Sequence, residues 1–205
     1  MDCQEIKTMS KFYPLTKQIF DLIFSLLLIL LLFPILILIS ALIKVTSTGP
    51  IFFIQKRVGR KGRIFGIIKF RTMVQNSENI GTGLDSYDND PRVTKIGRIL
   101  RNSSMDELPQ LFNILLGDMS FVGPRPPTTY HPYVYEEYPK EKKRRFLVKP
   151  GVTGWAQING RNQLNWDQKI KHDLIYVDNA DWLFDLKILF LTIGKVVRNE
   201  GGYDK

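Results

Sequence analysis

LIFSLLLILLLFPILILISALI runs from Leu22 to Ile43 without one charged side chain, and Ser25 and Ser40 are its only polar ones. At about 1.5 Å per residue, a run of roughly 20 apolar residues matches a hydrocarbon core about 30 Å thick. Buried soluble helices and signal-peptide cores are shorter. No small-x-small cleavage site follows and no short basic cap precedes, so the run reads as a retained membrane segment. Pro34 disturbs a straight span: a proline inside a helix removes one backbone hydrogen bond and costs about 3 kcal/mol unless the helix kinks. It divides the run at Phe33 and Pro34 into arms that each reach roughly half a bilayer. Lys7, Lys11 and Lys17 precede the run, and Lys44, Lys56, Arg57 and Arg60 follow it. That symmetry favours keeping both flanks cytoplasmic. Two readings stay open: a bitopic helix with a tolerated proline, and a re-entrant helix that enters, bends and returns.

The remainder of the 205 residues, 44% hydrophobic overall, suits one compact domain. Residues 1–48 are thus expected to form the membrane helix and its flanks, and residues 49–205 a cytoplasmic domain. Lys and Arg outnumber Asp and Glu by 29 to 20, a formal charge of +9. The partners are therefore expected to be anionic: nucleic acid, lipid head groups or phosphorylated metabolites. A single cysteine, Cys3, excludes an internal disulfide framework, and with only His131 and His172 beside it no zinc cluster can form. Any metal would be held by oxygen.

STGP, Ser47 to Pro50, reads as a turn. IFFIQKRVGRKGRIFGIIKFRTM alternates apolar and basic residues around a glycine-rich reversal, which predicts a β-hairpin. The alternation would present Lys56, Arg57, Arg60, Lys61 and Arg63 to anionic lipid, or leave Arg60 to Arg63 as a solvated basic loop. Gln75 to Pro91 reads as a polar loop. TKIGRILR, from Thr94 to Arg101, sets Ile96, Ile99 and Leu100 against basic positions and predicts a short amphipathic helix. YEEYPKEKKRRF, Tyr135 to Phe146, is a second basic amphipathic stretch, with lipid-facing and solvent-facing readings both open. KPGVTGWAQINGRNQ, Lys149 to Gln163, predicts a functional loop or short strands. Trp166 to Val197 then reads as helix, break, helix. Asp185, Lys187 and Lys195 make the last apolar run too short to span, so it packs on the core or lies in the interface.

SSMDELPQLFNILLGDMSFVGPRP, Ser103 to Pro126, carries the candidate chemistry. Pro109 is accommodated in a first helical turn, which places a helix start between Ser104 and Leu108. Ser104 and Glu107 have capping-box spacing. Asp106 and Glu107 would then sit at a helix N-terminus, where backbone N–H groups favour anions by roughly 0.3–1 kcal/mol. Plain capping explains such a pair on its own. A second reading draws on Arg101 upstream and on Arg125, held on a backbone stiffened by Pro124, Pro126 and Pro127. Such arginines grip phosphate bidentately. Carboxylates for a metal with arginines for phosphate make a phosphoryl-transfer constellation. Asp106 and Glu107 could hold Mg²⁺, or one of them could attack phosphorus.

These stretches together resemble the bacterial sugar transferases, the monotopic polyprenyl-phosphate phosphoglycosyl transferases. The resemblance rests on the proline-broken segment, KFRTM (Lys69 to Met73), LRNSSMDELPQLFNILLGDMSFVGPRP (Leu100 to Pro126), PGVTGWAQINGR (Pro150 to Arg161) and DLKIL (Asp185 to Leu189). It implies a mixed α/β, helix-rich fold: a proline-broken re-entrant membrane helix, a short β-hairpin, amphipathic interfacial helices and a compact catalytic domain in the minimal form of the family. It implies transfer of a phospho-sugar from a UDP-sugar to undecaprenyl phosphate at the cytoplasmic face of the bacterial inner membrane, with release of UMP. Asp106 would be the nucleophile and Mg²⁺ ligand, Glu107 its assistant, and Arg101 and Arg125 phosphate binders. Lys69, Arg71, Gln157 and Arg161 would be further nucleotide or phosphate contacts. One departure concerns the helix break at Phe33 and Pro34, where the family often places Ser before the proline. Membrane phospholipids are expected partners, no nucleic acid is expected, and homo-oligomerisation is left open. Two other classes compete. A membrane-tethered nucleic-acid binder would need a cationic face with aromatic stacking residues. A lipid-binding scaffold would make Asp106 dispensable.

Overall fold

In the computed structural model, residues 13–80, 87, 90–160 and 163–198 are described. Arg161, Lys7, Lys11 and residues 81–86 and 88–89 of the polar loop lie outside them. Helix α1, Tyr13–Thr46, is 34 residues long, about 50 Å at 1.5 Å per residue. Its helical assignment continues through Phe33 and Pro34 without dividing, so the proline does not separate two helices. Ser25 and Ser40 donate to the carbonyls of Leu22 and Leu36 at 3.0 and 2.6 Å.

One stripe of α1 is buried: Tyr13, Asp21, Ser25, Ile29, Leu36, Ile39 and Ile43. Steps of three, four, seven and eight residues keep these on one helix face. The stripe touches the domain along its whole length. Tyr13 packs with Tyr176 and Ile188, Ile29 with Phe65, Ile67 and Leu111, and Leu36, Ile39 and Ile43 with Phe70 and Leu100. The other face, including Leu30, Leu31 and Leu38, is exposed. Asp185 fastens the N-terminal end. It accepts from the Tyr13 hydroxyl at 2.7 Å and the Tyr176 hydroxyl at 2.8 Å, and pairs with Lys17.

The hairpin forms as the alternation predicts. Strand β1, Phe52–Val58, pairs antiparallel with β2, Ile64–Phe70, in a register from Phe52 opposite Phe70 to Val58 opposite Ile64. Among its cations Arg57 does not face outward to lipid, because its guanidinium donates to the Pro126 carbonyl at 3.1 Å. Helix α2, Lys95–Asn102, is capped by Thr94, whose Oγ1 accepts from the Gly97 amide. Gly97 lets α2 dock on the chain after β2, since a Cβ there would meet the Thr72 carbonyl oxygen at 1.9 Å.

Helix α3 differs from its predicted form: it spans only Gln110–Leu115, with Pro109 flanking it. Asp106 and Glu107 belong to a separate 3-10 turn, Met105–Glu107. Ser104 makes no side-chain cap and has φ 57°, so the capping box does not form. The Glu107 carboxylate is drawn to two cations instead, a stronger interaction than a cap.

Strand β3, Ser120–Val122, pairs parallel with β4, Gly151–Thr153. Gly151 permits this crossing, because a Cβ on it would lie 2.1 Å from the Gly123 amide nitrogen. The basic stretch before β4 is broken into 3-10 turns around a four-residue helix α4, Lys140–Lys143. Its cations turn to protein: Arg145 is buried on Asp173, and Lys142 pairs with Asp167. Helix α5, Trp155–Ile158, then α6, Trp166–Asp178, and α7, Trp182–Val197, complete the chain. Helix α7 packs one face on the core through Ile188, buries Asp185 and leaves Leu183, Phe190 and Ile193 exposed.

Asn113, buried on α3, ties that helix to β2. Its Oδ1 accepts from the Ile68 amide at 2.9 Å and its Nδ2 donates to the Gly66 carbonyl at 2.7 Å. Asn113→Leu leaves both backbone groups without a partner and is expected to cost about 2 kcal/mol or more. Thermal unfolding in detergent checks this; an unchanged midpoint would show that the clamp is dispensable.

Candidate active site

Four segments meet beside the C-terminal end of α1. Strand β2 brings Lys69, the following residues bring Arg71 and Thr72, α2 brings Arg101, and the 3-10 turn brings Asp106 and Glu107. Lys69, Arg71, Arg101 and Asp106 line one open cleft of about 390 Å³, together with apolar side chains that include Phe52 and Phe70. That volume lies in the range of small-molecule sites.

The two carboxylates have different surroundings. Glu107 Oε1 accepts from Lys69 Nζ at 2.7 Å and from Arg125 Nη2 at 2.9 Å. Burial would raise its carboxyl, but Arg125 and Lys69 hold it well below the usual glutamate range. Asp106 is 6% exposed and lines the cleft. Burial lifts its carboxyl above the ordinary aspartate value; Lys69, Arg101 and Arg125 oppose the rise, and the Glu107 charge adds to it. Glu107 is thereby a fixed counter-ion, while Asp106 is the acid presented to a ligand.

The arginines are placed by their own contacts. Arg101 Nε donates to Thr72 Oγ1 at 2.9 Å. Arg71 Nη2 donates to the Ser47 carbonyl and hydroxyl at 2.9 and 2.7 Å, tying the end of α1 to the cleft. Arg71 Nε and Nη1 are buried without a partner among the described residues. Unpaired buried guanidinium donors suit a phosphate oxygen.

Lys69, Arg71, Arg101 and Asp106 thus share one cleft as the motifs predict, with Glu107 and Arg125 bracing it. Gln157 does not join them; it lies in a neighbouring recess together with Arg125. Arg57, Thr72, Trp166, Lys169 and the Arg145–Asp173 pair escape the sequence reading. Of these, Arg57 carried a signal as a basic residue of the hairpin alternation, and Arg145 as one of the second basic stretch. The described residues contain no cluster of three or more His, Cys, Asp or Glu. With Glu107 committed to two cations, Asp106 would be the carboxylate to hold Mg²⁺, an ion commonly bound by one or two carboxylates and completed by substrate phosphate and water.

Residues 12–199 match the family described as bacterial sugar transferase. The uncharacterized sugar transferase EpsL of Bacillus subtilis is 44% identical over 185 residues, which cover 90% of this chain and 89% of that protein. A UDP-glucose:undecaprenyl-phosphate glucose-1-phosphate transferase of Klebsiella pneumoniae is 42% identical over 192 residues, covering 91% of this chain and 41% of that one. An undecaprenyl-phosphate galactose phosphotransferase of Salmonella typhimurium is 39% identical over 202 residues, with coverage of 91% and 41%. The chain therefore spans most of the first relative but well under half the length of the other two.

If ionised Asp106 is the reacting form, activity is lost as pH falls through its raised pKa. The acid limb of the kcat/KM profile is then expected above the ordinary aspartate value of about 3.9. Lys69→Met removes a cation that lowers Asp106, so the limb should move to higher pH. A limb that stays in place would assign it to another group.

Proposed function

The chain belongs to the bacterial sugar transferase family and is by that membership a phosphoglycosyl transferase; we propose that it carries a sugar phosphate from a UDP-sugar to undecaprenyl phosphate. The observation that carries this reading is the asymmetry of the acidic pair: Glu107 is neutralised by Lys69 and Arg125, whereas Asp106 lines a cleft walled by Lys69, Arg71 and Arg101.

An Asp106 carboxylate oxygen attacks the sugar-bearing phosphorus of the UDP-sugar. The bond from that phosphorus to the bridging oxygen breaks, UMP leaves with the bond electrons, and an aspartyl phospho-sugar remains. A phosphate oxygen of the polyprenyl acceptor then attacks the same phosphorus, freeing the Asp106 carboxylate and forming the polyprenyl diphosphate sugar. Arg71, Arg101 and Lys69 stabilise charge on the non-bridging oxygens. Glu107 keeps Lys69 and Arg125 in place. Asp106 would hold Mg²⁺, which would supply further neutralisation of the diphosphate.

The packing of α1 supports the re-entrant reading. Both its ends rest on the same domain, so a helix crossing the bilayer would have to carry part of that domain with it. Its exposed apolar face then enters one leaflet, on the cytoplasmic side of the inner membrane. The acceptor keeps its polyprenyl tail in the bilayer and offers its phosphate at the surface. This would be the first membrane step of a glycoconjugate such as an exopolysaccharide, O-antigen, capsule or glycoprotein glycan. The second basic stretch argues against the nucleic-acid reading, since Lys142 and Arg145 are engaged with protein.

Incubation with UDP-sugar and no acceptor is expected to release about one equivalent of UMP per active site. Asp106→Asn should abolish that burst and lower turnover by roughly 10³-fold or more; a burst that survives the substitution would reject the covalent step. For topology, Gln18→Cys and Thr48→Cys, each in a Cys3→Ser background, sit at the two ends of α1. Impermeant reagent should label both from the cytoplasmic side alone, and labelling of either from the opposite side would mean that the helix crosses.

A further inference from the structure

Arg57 lines both the cleft and a second recess of about 90 Å³, so the two adjoin at that side chain. The recess is bounded further by Arg125, Arg145, Gln157, Trp166 and Lys169. Arg125 reaches from this recess to Glu107 at 2.9 Å. The wall behind it is rigid: Arg145 donates to Asp173 Oδ2 at 2.6 and 3.0 Å and to the Arg125 carbonyl at 2.9 Å, all largely shielded from solvent. Asp173 thereby offsets the charge of Arg145, and Arg57, Arg125 and Lys169 add further basic side chains to the lining.

Gln157 is the anomaly in this wall. Both its Oε1 and its Nε2 are buried without a partner among the described residues. A buried carboxamide left unpaired is costly, and it presents a donor beside an acceptor. The matching ligand has an acceptor beside a donor on one planar edge, in a space for roughly three water molecules. The imide edge of a uracil ring, a carbonyl next to an N–H, has that pattern. Trp166 adds aromatic surface, with Lys169 Nζ 5.2 Å from its ring centroid. Aromatic and cationic side chains together suit a nucleobase followed by phosphates.

We propose that this recess is the nucleoside subsite of the donor. Gln157 pairs with the uracil edge, Trp166 contacts the ring, and Arg57 and Arg125 carry the diphosphate from the recess to Asp106. The assignment rests on the UDP-sugar reading above and adds to it where the nucleotide sits. It leaves the apolar wall of the cleft, with Phe52 and Phe70, to the lipid acceptor.

The test uses the full chain in detergent with UMP as probe, titrated calorimetrically, alongside steady-state kinetics with a panel of UDP-sugars and undecaprenyl phosphate. Gln157→Leu is expected to weaken UMP roughly ten-fold. The KM for the UDP-sugar should rise by a similar factor, while the KM for undecaprenyl phosphate and the thermal midpoint hold. Trp166→Leu should act in the same direction. Unchanged UMP affinity in both variants would overturn the assignment, as would a loss in which both KM values and the midpoint move together. A wild-type protein that turns over UDP-sugar while both variants bind UMP normally would leave the enzymatic reading standing and remove the recess alone. Failure of the wild type to turn over any UDP-sugar would overturn both.

Discussion

The ion triad of Lys69, Glu107 and Arg125 is the interaction on which the site depends. It joins three segments far apart in the chain: strand β2, the 3-10 turn before α3, and the proline-rich run after β3. A largely buried carboxylate is tolerated only when paired, and removing one partner of such a group is far more damaging than the pair is stabilising. Lys69 and Glu107 are 15% and 10% exposed, whereas Arg125 is 32% exposed. The lysine is therefore the more strongly desolvated partner, and the arginine is the one partly open to a ligand. Because Glu107 absorbs these cations by direct contact, adjacent Asp106 feels them at longer range. Its carboxyl is raised by burial yet kept from rising further, a balance that suits the role proposed for it.

The same economy of position governs α1. A 34-residue apolar helix could cross a bilayer by length alone, but its buried stripe spans from Tyr13 to Ile43 against one domain. At the first end Asp185 gathers Tyr13, Lys17 and Tyr176. At the other, Arg71 holds Ser47 and also lines the cleft. The anchor of the helix and the wall of the site thus share a side chain, which fixes the cleft near the point where α1 ends. For a substrate whose tail stays in lipid, that placement avoids extracting the chain, at about 0.8 kcal/mol for each CH₂.

Much of this was legible in the amino-acid sequence, and the parts that were not have physical reasons. Periodicity revealed α1, the hairpin, α2 and the α6–α7 pair, because each follows from local spacing of apolar residues. The motifs brought Asp106, Lys69, Arg71 and Arg101 to one cleft. The start of α3 was misplaced because Pro109 and the Ser104–Glu107 spacing are local signals, and a tertiary ion pair overrode them. The cations from Lys142 to Arg145 left lipid-facing and solvent-facing readings open, because their acidic partners, Asp167, Asp173 and Asp178, lie on α6. Asp185 read as an interruption of an apolar run, although it is the anchor of α1. No one-dimensional pattern announces a partner more than a hundred residues away.

That correction also changes what the net charge means. A formal +9 suggests a protein coated in cations, yet Arg57, Arg71, Arg92, Arg101 and Arg145 all donate to internal acceptors. Guanidinium groups suit such positions because they stay charged when buried and fix several acceptors at once. Around the cleft they create a field that welcomes phosphate, but Glu107 and Asp106 subtract from it. The remaining positive charge is better matched to one diphosphate than to a diphosphate and a lipid phosphate together. Under the proposed chemistry the covalent intermediate resolves this limit: UMP departs with its charge before the acceptor phosphate arrives. The same few cations then serve both half-reactions in turn.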